Sequence, residues 1–507
     1  MSSWIIEPQL HYTNKFGKGR LDGLVGATIS QNTTDVLAFG ASGFSSDLLM
    51  ESPSAATSIT MYSSSATIMS KYNALFGRLN YNWNDKYLIN LTARRDGSSK
   101  FGDENKFHNF WSIGGGWIFS QEKLIQHNLS FLSFGKLRAS YGTTGNDQIA
   151  DYSFLSLYQS RNTPIPYQNA TGLTAYNLPN PYLQWEETRK LQGGIELGFI
   201  NDRILLSVGY AQNRSSNQLI NSSLPSLTGF TNITENLPAT IQNTSWEFVL
   251  NTINIKGRNF NWNSAINFTI PQNKLLSFPG IESTAYASGT LGIIVGQPLG
   301  VVKVFRYAGV DPAMGNYLVL DKNGKPTAKP NFSTDRTALV APMTKYYGGF
   351  QNSISYKGFQ LDILFQFVNQ ITSKDIYFYN GSENPGVFSG GYSDNQPTRV
   401  LNNWQKPGDI ASVGRYTTAN FSVPVLAPYS NAGYSYDASY IRLKNLSLSW
   451  QLPSVWLQKA HMQNARFYFS GQNLATITRY TGLDPETKSS QSLPPLRLWT
   501  VGVQMEL

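Results

Sequence analysis

Hydrophobic and polar residues alternate with a period of two along most of this chain of 507 residues. In segment 359–368, FQLDILFQFV, the apolar residues that share one face are Phe359, Leu361, Ile363, Phe365 and Phe367. The last residues repeat the pattern, with one face made of Trp499, Val501, Val503, Met505 and Leu507. Successive side chains of a β-strand point to opposite faces, so each such segment predicts a strand with one apolar and one polar side.

Counting these segments predicts about 15 strands, each of roughly 9 to 13 residues. They span residues 4–12, 20–31, 72–84, 86–96, 109–119, 135–143, 188–200, 203–213, 244–256, 259–271, 347–357, 359–370, 439–451, 464–473 and 496–507. Strands of globular proteins usually have about 5–6 residues, whereas a tilted strand needs about 9–11 residues to cross a membrane. The predicted lengths therefore favour membrane-crossing strands.

The connections between these strands alternate between short and long. Short turns are predicted at Asn84–Asp85, Asn201–Asp202, Gly257–Arg258 and Lys357–Gly358, and medium connections at 13–19, 120–134 and 452–463. Long polar stretches occupy 32–71, 97–108, 144–187, 214–243, 272–346, 371–438 and 474–495. Short periplasmic turns and long external loops are typical of transmembrane β-barrels. The predicted fold class is therefore all-β, a transmembrane antiparallel β-barrel with long extracellular loops.

Aromatic residues cluster beside the short turns. Trp83 and Tyr87 bracket the first turn, Phe199 precedes the second, and Tyr356 and Phe359 flank the fourth. Aromatic belts of this kind occupy the interface between lipid and water. Core aromatics of a soluble β-fold are the alternative, since they share the same alternation. The asymmetry of the loops favours the membrane interpretation.

The composition excludes several classes of function. Cysteine is absent, and the four histidines, His11, His108, His127 and His461, are never within four residues of one another. No paired-histidine or thiolate metal site is expected, and we expect neither a cofactor nor enzymatic activity. Basic residues are dispersed, so nucleic-acid binding is not expected, although the formal net charge is +9. The start, MSSWIIEPQL, lacks the features of a signal peptide.

The direction of the predicted strands suggests that the barrel is larger than this chain. Strand 4–12 precedes a predicted periplasmic connection, so it runs inward and begins outside the cell. An outer-membrane barrel that begins in the periplasm has an even number of strands, so at least one more strand is expected before 4–12. We therefore expect residues 1–507 to be the C-terminal part of a larger barrel.

Six segments make the chain resemble the SusC/RagA family of TonB-dependent outer-membrane transporters over nearly its whole length. They are LFGRLNYNW (75–83), ARRDGSSKFG (93–102), LRASYGTTGN (137–146), LPNPYLQWEET (178–188), YIRLKNLSLSW (440–450) and FYFSGQNLATITRYTGLDPE (467–486). Each segment is moderately specific, and their order and spacing together are highly specific.

The resemblance implies a 22-stranded barrel filled by an N-terminal plug, with a TonB box ahead of it. It also implies energy coupling through TonB–ExbB–ExbD, and a SusD-like surface lipoprotein as a lid that helps to capture glycans or peptides. The sequence contains no recognisable signal peptide, plug or TonB box, and it ends in Leu507 where the family usually has an aromatic residue. Long external loops need contacts that order them, and such a lipoprotein docking over 272–346 and 371–438 is the candidate.

The family-motif positions are the candidate site residues: Arg94, Asp96, Gly97, Ser98, Gly142, Asn146, Trp185, Glu186, Arg442, Asn473, Asp484, Pro485 and Glu486. Their physical role is expected to be structural, because Asp, Ser, Asn and Gly suit the exit of a strand into a loop. No single residue is identified as a ligand contact.

Arginines fall on or beside the polar face, which would line the lumen of the barrel: Arg78, Arg94, Arg138 and Arg442. There a charge is solvated or paired with a carboxylate such as Asp96, whereas on the lipid face it would cost about 2–4 kcal/mol at the midplane. These arginines either form a ladder that contacts the plug or an anionic substrate, or are simply solvated in the lumen without such a role.

The leading functional hypothesis is TonB-coupled uptake of an oligomeric nutrient across the outer membrane of a Gram-negative, Bacteroidota-like cell. A non-transporting surface glycan-binding protein or adhesin, and a passive porin, are the alternatives. The Tyr-, Asn- and Gln-rich loops suit sugar contacts, but external loops without a ligand have the same composition.

Overall fold

The alternating segments form long strands in a computed structural model. It describes residues 1–161, 172–284, 286–287, 292–373, 396, 398–417, 430–459, 461–489 and 492–506. The chain divides into two compact units. The first unit comprises 1–118, 138–192 and 213–240, and the second comprises 119–137, 193–212 and 241–507.

The first half of the chain contributes the strands β1 (Ser2–Ile6), β2 (Gln9–Phe16), β3 (Gly19–Ser42), β4 (Ser58–Trp83), β5 (Tyr87–Ser98), β6 (Phe107–Trp117), β7 (Leu132–Asn146), β8 (Tyr158–Arg161), β9 (Gly172–Ala175), β10 (Glu186–Phe199), β11 (Ile204–Ser216), β12 (Gln218–Ser223), β13 (Asn232–Leu237) and β14 (Thr240–Lys256). The second half contributes β15 (Phe260–Ser277), β16 (Val302–Val304), β17 (Arg306–Val310), β18 (Tyr317–Leu320), β19 (Pro326–Thr327), β20 (Ala338–Val340), β21 (Thr344–Tyr356), β22 (Phe359–Thr372), β23 (Tyr436–Asp437), β24 (Tyr440–Gln451), β25 (Asn464–Thr478) and β26 (Leu498–Glu506). Seventeen of these strands belong to one antiparallel sheet.

Helices are few and short in the part of the chain that the structure describes. They are α1 (Lys123–Asn128), α2 (Asn431–Tyr434) and α3 (Ser454–Lys459), together with the 3₁₀ turns Asp47–Leu49, Pro53–Ala55, Phe119–Gln121, Ser226–Thr228, Ile281–Ser283 and Thr398–Asn402. None of the described helices has the length and apolar character needed to cross a membrane.

In the first unit, antiparallel ladders join β3 to β4, β4 to β5 and β5 to β6, and β1 and β2 both pair with β3. The ladder register places Leu79 opposite Leu91 and Leu91 opposite Ile113, so one face of these strands is continuously apolar. These side chains are exposed. The opposite face carries polar residues such as Asn80 and Asn90, as the period of two predicts.

In the second unit, ladders run from β15 through β21, β22, β24 and β25 to β26. Phe359 lies opposite Trp450, which in turn lies opposite Phe467, on the apolar face predicted from segment 359–368. Stacked rings join these residues, with centroids 5.5 Å apart for Phe359–Trp450 and 6.2 Å apart for Trp450–Phe467. Cross-strand aromatic pairs of this kind stabilise a sheet.

Three of the four predicted short turns have the backbone of tight hairpins. Asn84 and Asp85 both have positive φ values of 54° and 55°, and Asn201 and Asp202 have 52° and 59°. Two consecutive left-handed residues define the type I′ turn, whose twist matches that of the flanking strands. Lys357 and Gly358 repeat this backbone with φ values of 45° and 88°.

The prediction was wrong in detail at the first strand and the first long loop. Segment 4–12 is two strands, β1 and β2, because Pro8 lacks the N–H group that would continue the ladder. Predicted loop 32–71 is mostly the continuation of β3 and β4, which remain paired as far as Ser42 and Ser58. Thr, Ser and Ala make up about half of these extensions, and larger apolar residues such as the adjacent Val36 and Leu37 do not keep to every second position.

Other connections contain elements that the sequence did not predict. Connection 120–134 contains α1, and connection 452–463 contains α3. Predicted loop 214–243 contains the hairpin β12–β13, and predicted loop 272–346 contains two small sheets. Most of predicted loop 371–438 lies outside the described residues, as do 162–171 and Leu507.

The segment between β15 and β21 has a hydrophobic core of its own. Phe305, Tyr317 and Val319 are buried together, and Tyr307 and Val310 pack against them. The expectation that this loop needs a lid to order it is therefore not supported by its structure, because these buried side chains supply the ordering contacts.

Asp335 stabilises the turn region of this segment. Its carboxylate accepts hydrogen bonds from the backbone N–H groups of Asn331, at 2.7 Å, and Lys322, at 3.0 Å. These bonds favour the charged form and hold the pKa of Asp335 below its ordinary value.

We predict that the region around Asp335 loosens in acid. A depressed pKa contributes stability above the unfolded-state pKa, near 3.9, and this contribution is lost as the pH falls through the lower folded-state value. Amide hydrogen exchange of residues 321–335 should therefore be unchanged between pH 7 and 5 after correction for intrinsic rates, and should accelerate below about pH 4. Asp335→Asn should show the accelerated exchange already at pH 7, and equal protection in both proteins at pH 7 would contradict the prediction.

Candidate functional site

The polar face of β4 and β5 carries an ion pair at the ends of these strands. Arg94 Nε donates to Asp96, and its Nη2 donates to the hydroxyl of Tyr72 at 2.8 Å. The guanidinium also lies 5.2 Å from the centroid of the Phe76 ring. Arg94 and Asp96 share a face because they are two residues apart on a strand. Of the two arrangements expected for the polar-face arginines, solvation or pairing with a carboxylate such as Asp96, Arg94 shows the second.

Ser98 and the residues after it tie two connections together. Ser98 Oγ donates to Asp147 Oδ2 at 2.8 Å, and Lys100 Nζ donates to the Asp147 carbonyl at 3.2 Å. A Cβ at Gly97 would overlap the side chains of Asn73 and Phe107, so any other residue here would have to displace them. Asp147, which directly follows the motif LRASYGTTGN, was missed by the sequence reasoning.

Trp185 lies in a small core formed by these connections. It is buried with Phe101, Phe110 and Leu183. The Phe101 and Trp185 ring centroids are 5.2 Å apart, and Trp185 Nε1 donates to the Lys106 carbonyl at 3.2 Å. The indole thus satisfies its one donor while its rings fill the core.

Glu186 joins the ends of three strands beside this core. One carboxylate oxygen accepts from Asn146 Nδ2 at 3.2 Å, and the other accepts from Gln218 Nε2 at 3.3 Å. Asn146 ends β7, Glu186 begins β10 and Gln218 begins β12. Gly142 lies on β7 four residues before Asn146, and a Cβ there would overlap Ser112 and the Trp111 carbonyl.

A second cluster, in the second unit, surrounds Arg442 on β24. This side chain is 1% exposed, so its charge is removed from water. Its guanidinium donates to Asp484, to Glu486 Oε2 at 2.5 Å and to Thr476 Oγ1 at 2.9 Å. We call Arg442, Asp484 and Glu486 the arginine node. The node excludes Arg442 from any lumen ladder, because no face of its guanidinium remains for a plug or a substrate.

Pro485 is held by a neighbouring strand. Its carbonyl accepts from Gln370 Nε2 at 2.8 Å, and Lys488 Nζ donates to Gln370 Oε1 at 3.2 Å. Gln370 is 4% exposed, so these bonds replace the hydrogen bonds that its amide would otherwise make with water. No signal in the sequence distinguishes Gln370 from any other polar residue at a strand end. Together with the arginine node, it fixes the connection after β25 onto β22 and β24.

Asn473 lies at an irregularity in the ladder between β24 and β25, which shifts register between Leu443 and Asn445. Its φ is 53°, a left-handed value that asparagine tolerates, and its Nδ2 donates to the Leu496 carbonyl at 2.9 Å. The extra residue is typical of a β-bulge, which re-aims the chain at a strand end.

In the described ranges, no group of three or more metal-ligating side chains converges. His108 lies on β6, where its Nε2 is 3.4 Å from Glu187 Oε2 and its ring contacts Phe110. The candidate site residues thus assemble into two loop-anchoring clusters whose observed contacts are structural.

The family model described as TonB dependent receptor-like, beta-barrel matches residues 7–474. The chain belongs to this family. The expected resemblance to SusC-type receptors is also confirmed, since the chain is 27% identical to the TonB-dependent receptor SusC of Bacteroides thetaiotaomicron over 86% of its length and 43% of that protein.

Other relatives and solved structures agree with this assignment. The chain is 30% identical to the TonB-dependent receptor P26 of Formosa agariphila, over 95% of this chain and 50% of that protein. It superposes with a TM-score of 0.83 and 25% identity on the RagAB peptide importer in the 'closed-closed' state, covering 100% of this chain and 55% of that one. The chain spans about half the length of the curated relatives that it matches.

The family assignment accounts for the sheet and its long connections. TonB-dependent receptor barrels are proteins of the outer membrane, and the antiparallel sheet with one exposed apolar face is the architecture that crosses it. The predicted fold class is confirmed.

Proposed function

We propose that the protein is the barrel subunit of a TonB-dependent importer that takes up oligomeric nutrients, either glycans or peptides, together with a SusD-like surface lipoprotein. The family match over residues 7–474 is the observation that carries this proposal. The solved neighbour is a peptide importer by name, which favours a peptide among the two substrate classes.

The exposed apolar face supports a membrane location for this function. In β5 the side chains of Tyr87, Ile89 and Leu91 are exposed on one face, and Trp111 and Ile113 continue that face on β6. Soluble monomers rarely expose continuous apolar surface of this extent. A lipid environment removes the cost of exposing this apolar surface. The boundary between lipid and water also accounts for the aromatic residues beside the short turns.

We further propose that residues 1–507 are the C-terminal part of a longer polypeptide that also has a signal peptide, a TonB box and a plug. The length of the matched relatives supports this assignment. Energy from TonB–ExbB–ExbD would reach the barrel through that plug. The exposed Arg78, which has no hydrogen-bond or ion-pair partner in the described part of the chain, lies on the polar face that such a plug would contact.

The test is uptake of labelled peptides and oligosaccharides by cells that express the full-length protein with its lipoprotein partner. We expect uptake to fall to the background of cells without the receptor when TonB is deleted, because import against a gradient requires energy. Uptake that persists without TonB would favour a passive porin instead. Surface binding of the label without any import would favour the adhesin or glycan-binding alternative.

A further inference from the structure

A groove crosses the exposed apolar face of the first unit. It has a volume of about 670 Å³, and ten of its lining residues lie on the apolar face in two adjacent rows of the ladder. One row is Leu10, Val25, Gly77, Ala93 and Trp111, and the other is Tyr12, Gly23, Leu79, Leu91 and Ile113. The floor consists of the small residues Gly23, Gly77 and Ala93, and the larger side chains form the walls.

The glycines of this floor are not explained by the rest of the protein. Neither Gly23 nor Gly77 has a positive φ. A Cβ at Gly23 would meet only Leu79 Cδ1, at 3.8 Å, and one at Gly77 would meet only the Leu24 carbonyl, at 3.7 Å, both ordinary contact distances. Glycine weakens a strand and often marks the close approach of a ligand. The described part of the chain therefore gives no packing reason for these glycines, which fits the close approach of an external ligand.

The positively charged side chain of Arg95 lies near one end of the groove. Arg95 follows Ala93 on the same face of β5, about 7 Å further along the strand. Its guanidinium lies 5.3 Å from the centroid of the Phe107 ring, and no carboxylate pairs with it within the described ranges. Arg95 lies toward the longer connection 99–106, which is external in the proposed orientation.

We propose that the groove is a binding site for a phosphorylated glycolipid of the outer leaflet, with an acyl chain over Gly23, Gly77 and Ala93 and a phosphate on Arg95. An acyl chain matches the apolar walls, and a phosphate supplies the anion that Arg95 lacks on this face. Guanidinium groups recognise phosphate through paired N–H donors. This inference rests on the outer-membrane location proposed above.

The test is native mass spectrometry of the full-length, detergent-extracted protein with bisphosphorylated lipid A, its dephosphorylated form and phosphatidylglycerol. We expect the bisphosphorylated form to bind at least tenfold more tightly than the other two lipids. Arg95→Gln should remove most of this difference, and Arg95→Lys should retain part of it, because the positive charge remains.

The groove itself is tested by a matched pair of substitutions. Ala93→Leu fills the floor, whereas Ala139→Leu adds the same atoms on the same apolar face outside the groove, two residues before Tyr141, whose ring contacts Trp111. We expect Ala93→Leu to weaken lipid binding about tenfold and Ala139→Leu to leave it unchanged. Heat-modifiable mobility should verify that each variant is folded.

Three outcomes would overturn the inference. They are unchanged lipid binding in both Arg95→Gln and Ala93→Leu, equal binding of the dephosphorylated lipid, and equal binding of phosphatidylglycerol, which would make a bulk phospholipid the occupant. A protein that stays soluble without detergent would instead contradict the proposed function. The failures of the two proposals are therefore distinguishable.

Discussion

Replacing Arg442 by alanine is expected to destabilise the protein by about 3–5 kcal/mol, the cost of leaving a buried ion pair without one partner. Arg442 is 1% exposed and pairs with both Asp484 and Glu486, so its removal leaves the buried Asp484 without its cation, while Glu486 keeps only its ion pair with Lys444 at 3.3 Å. We expect a lower midpoint of urea unfolding in detergent and faster amide exchange in residues 479–489.

The matched control is Arg466→Ala on the adjacent strand β25. Arg466 is exposed, and its Nη2 donates to the uncharged Gln504 Oε1 at 3.1 Å. Its loss should cost less than about 1 kcal/mol, as for exposed interactions. Equal stability of the two variants would contradict the role of the arginine node. A double-mutant cycle with Asp484→Asn should show strong coupling to Arg442 and none to Arg466.

The sheet could be predicted from the sequence because its signal is local. A period of two over ten residues fixes both the strand and its apolar face, as in 359–368, and pairs such as Asn84–Asp85 mark the turns between strands. The spacing of two residues likewise places Arg94 and Asp96 on one face, so pairing with Asp96 is one of the two arrangements that the sequence left open.

The arginine node could not be predicted in this way. Arg442 and Asp484 are 42 positions apart, and Gln370 and Pro485 are 115 apart, so their contacts depend on how distant connections fold back. The sequence identified Arg442, Asp484 and Glu486 as motif positions without indicating that they meet. The break at Pro8 did have a local signal, because proline in a strand run indicates an edge or an interruption.

The observed contacts change the interpretation of the motif positions. Ser98, Asn146 and Glu186 are all used to hold connections to strand ends, and the arginine node does the same in the second unit. Loops anchored on both sides by buried polar contacts present a defined surface to a substrate or lipoprotein. Variation of substrate between family members is then expected in the loop tips and not in these anchors.

A polypeptide of residues 1–507 alone is expected not to transport. Within its own unit, β26 pairs with β25 and with no other described strand, and β2 pairs with β3 and with no other described strand. The outer edge of each strand therefore has backbone N–H and C=O groups that no described strand of the same unit satisfies. In hydrocarbon each such group costs several kcal/mol, and open sheet edges are not found facing lipid. The full-length polypeptide would supply the strands that pair with these edges and the plug that receives force from TonB.

The measurement is uptake of a labelled peptide or oligosaccharide in cells that express either residues 1–507 or the full-length protein, each with the lipoprotein partner. We expect the short form to be insoluble or unassembled, without the heat-modifiable mobility of a closed barrel, and to give no uptake above background. The full-length form should show both properties, which controls for expression and for the partner. TonB-dependent uptake by the short form would contradict this prediction, and with it the assignment of residues 1–507 to the C-terminal part of a larger barrel.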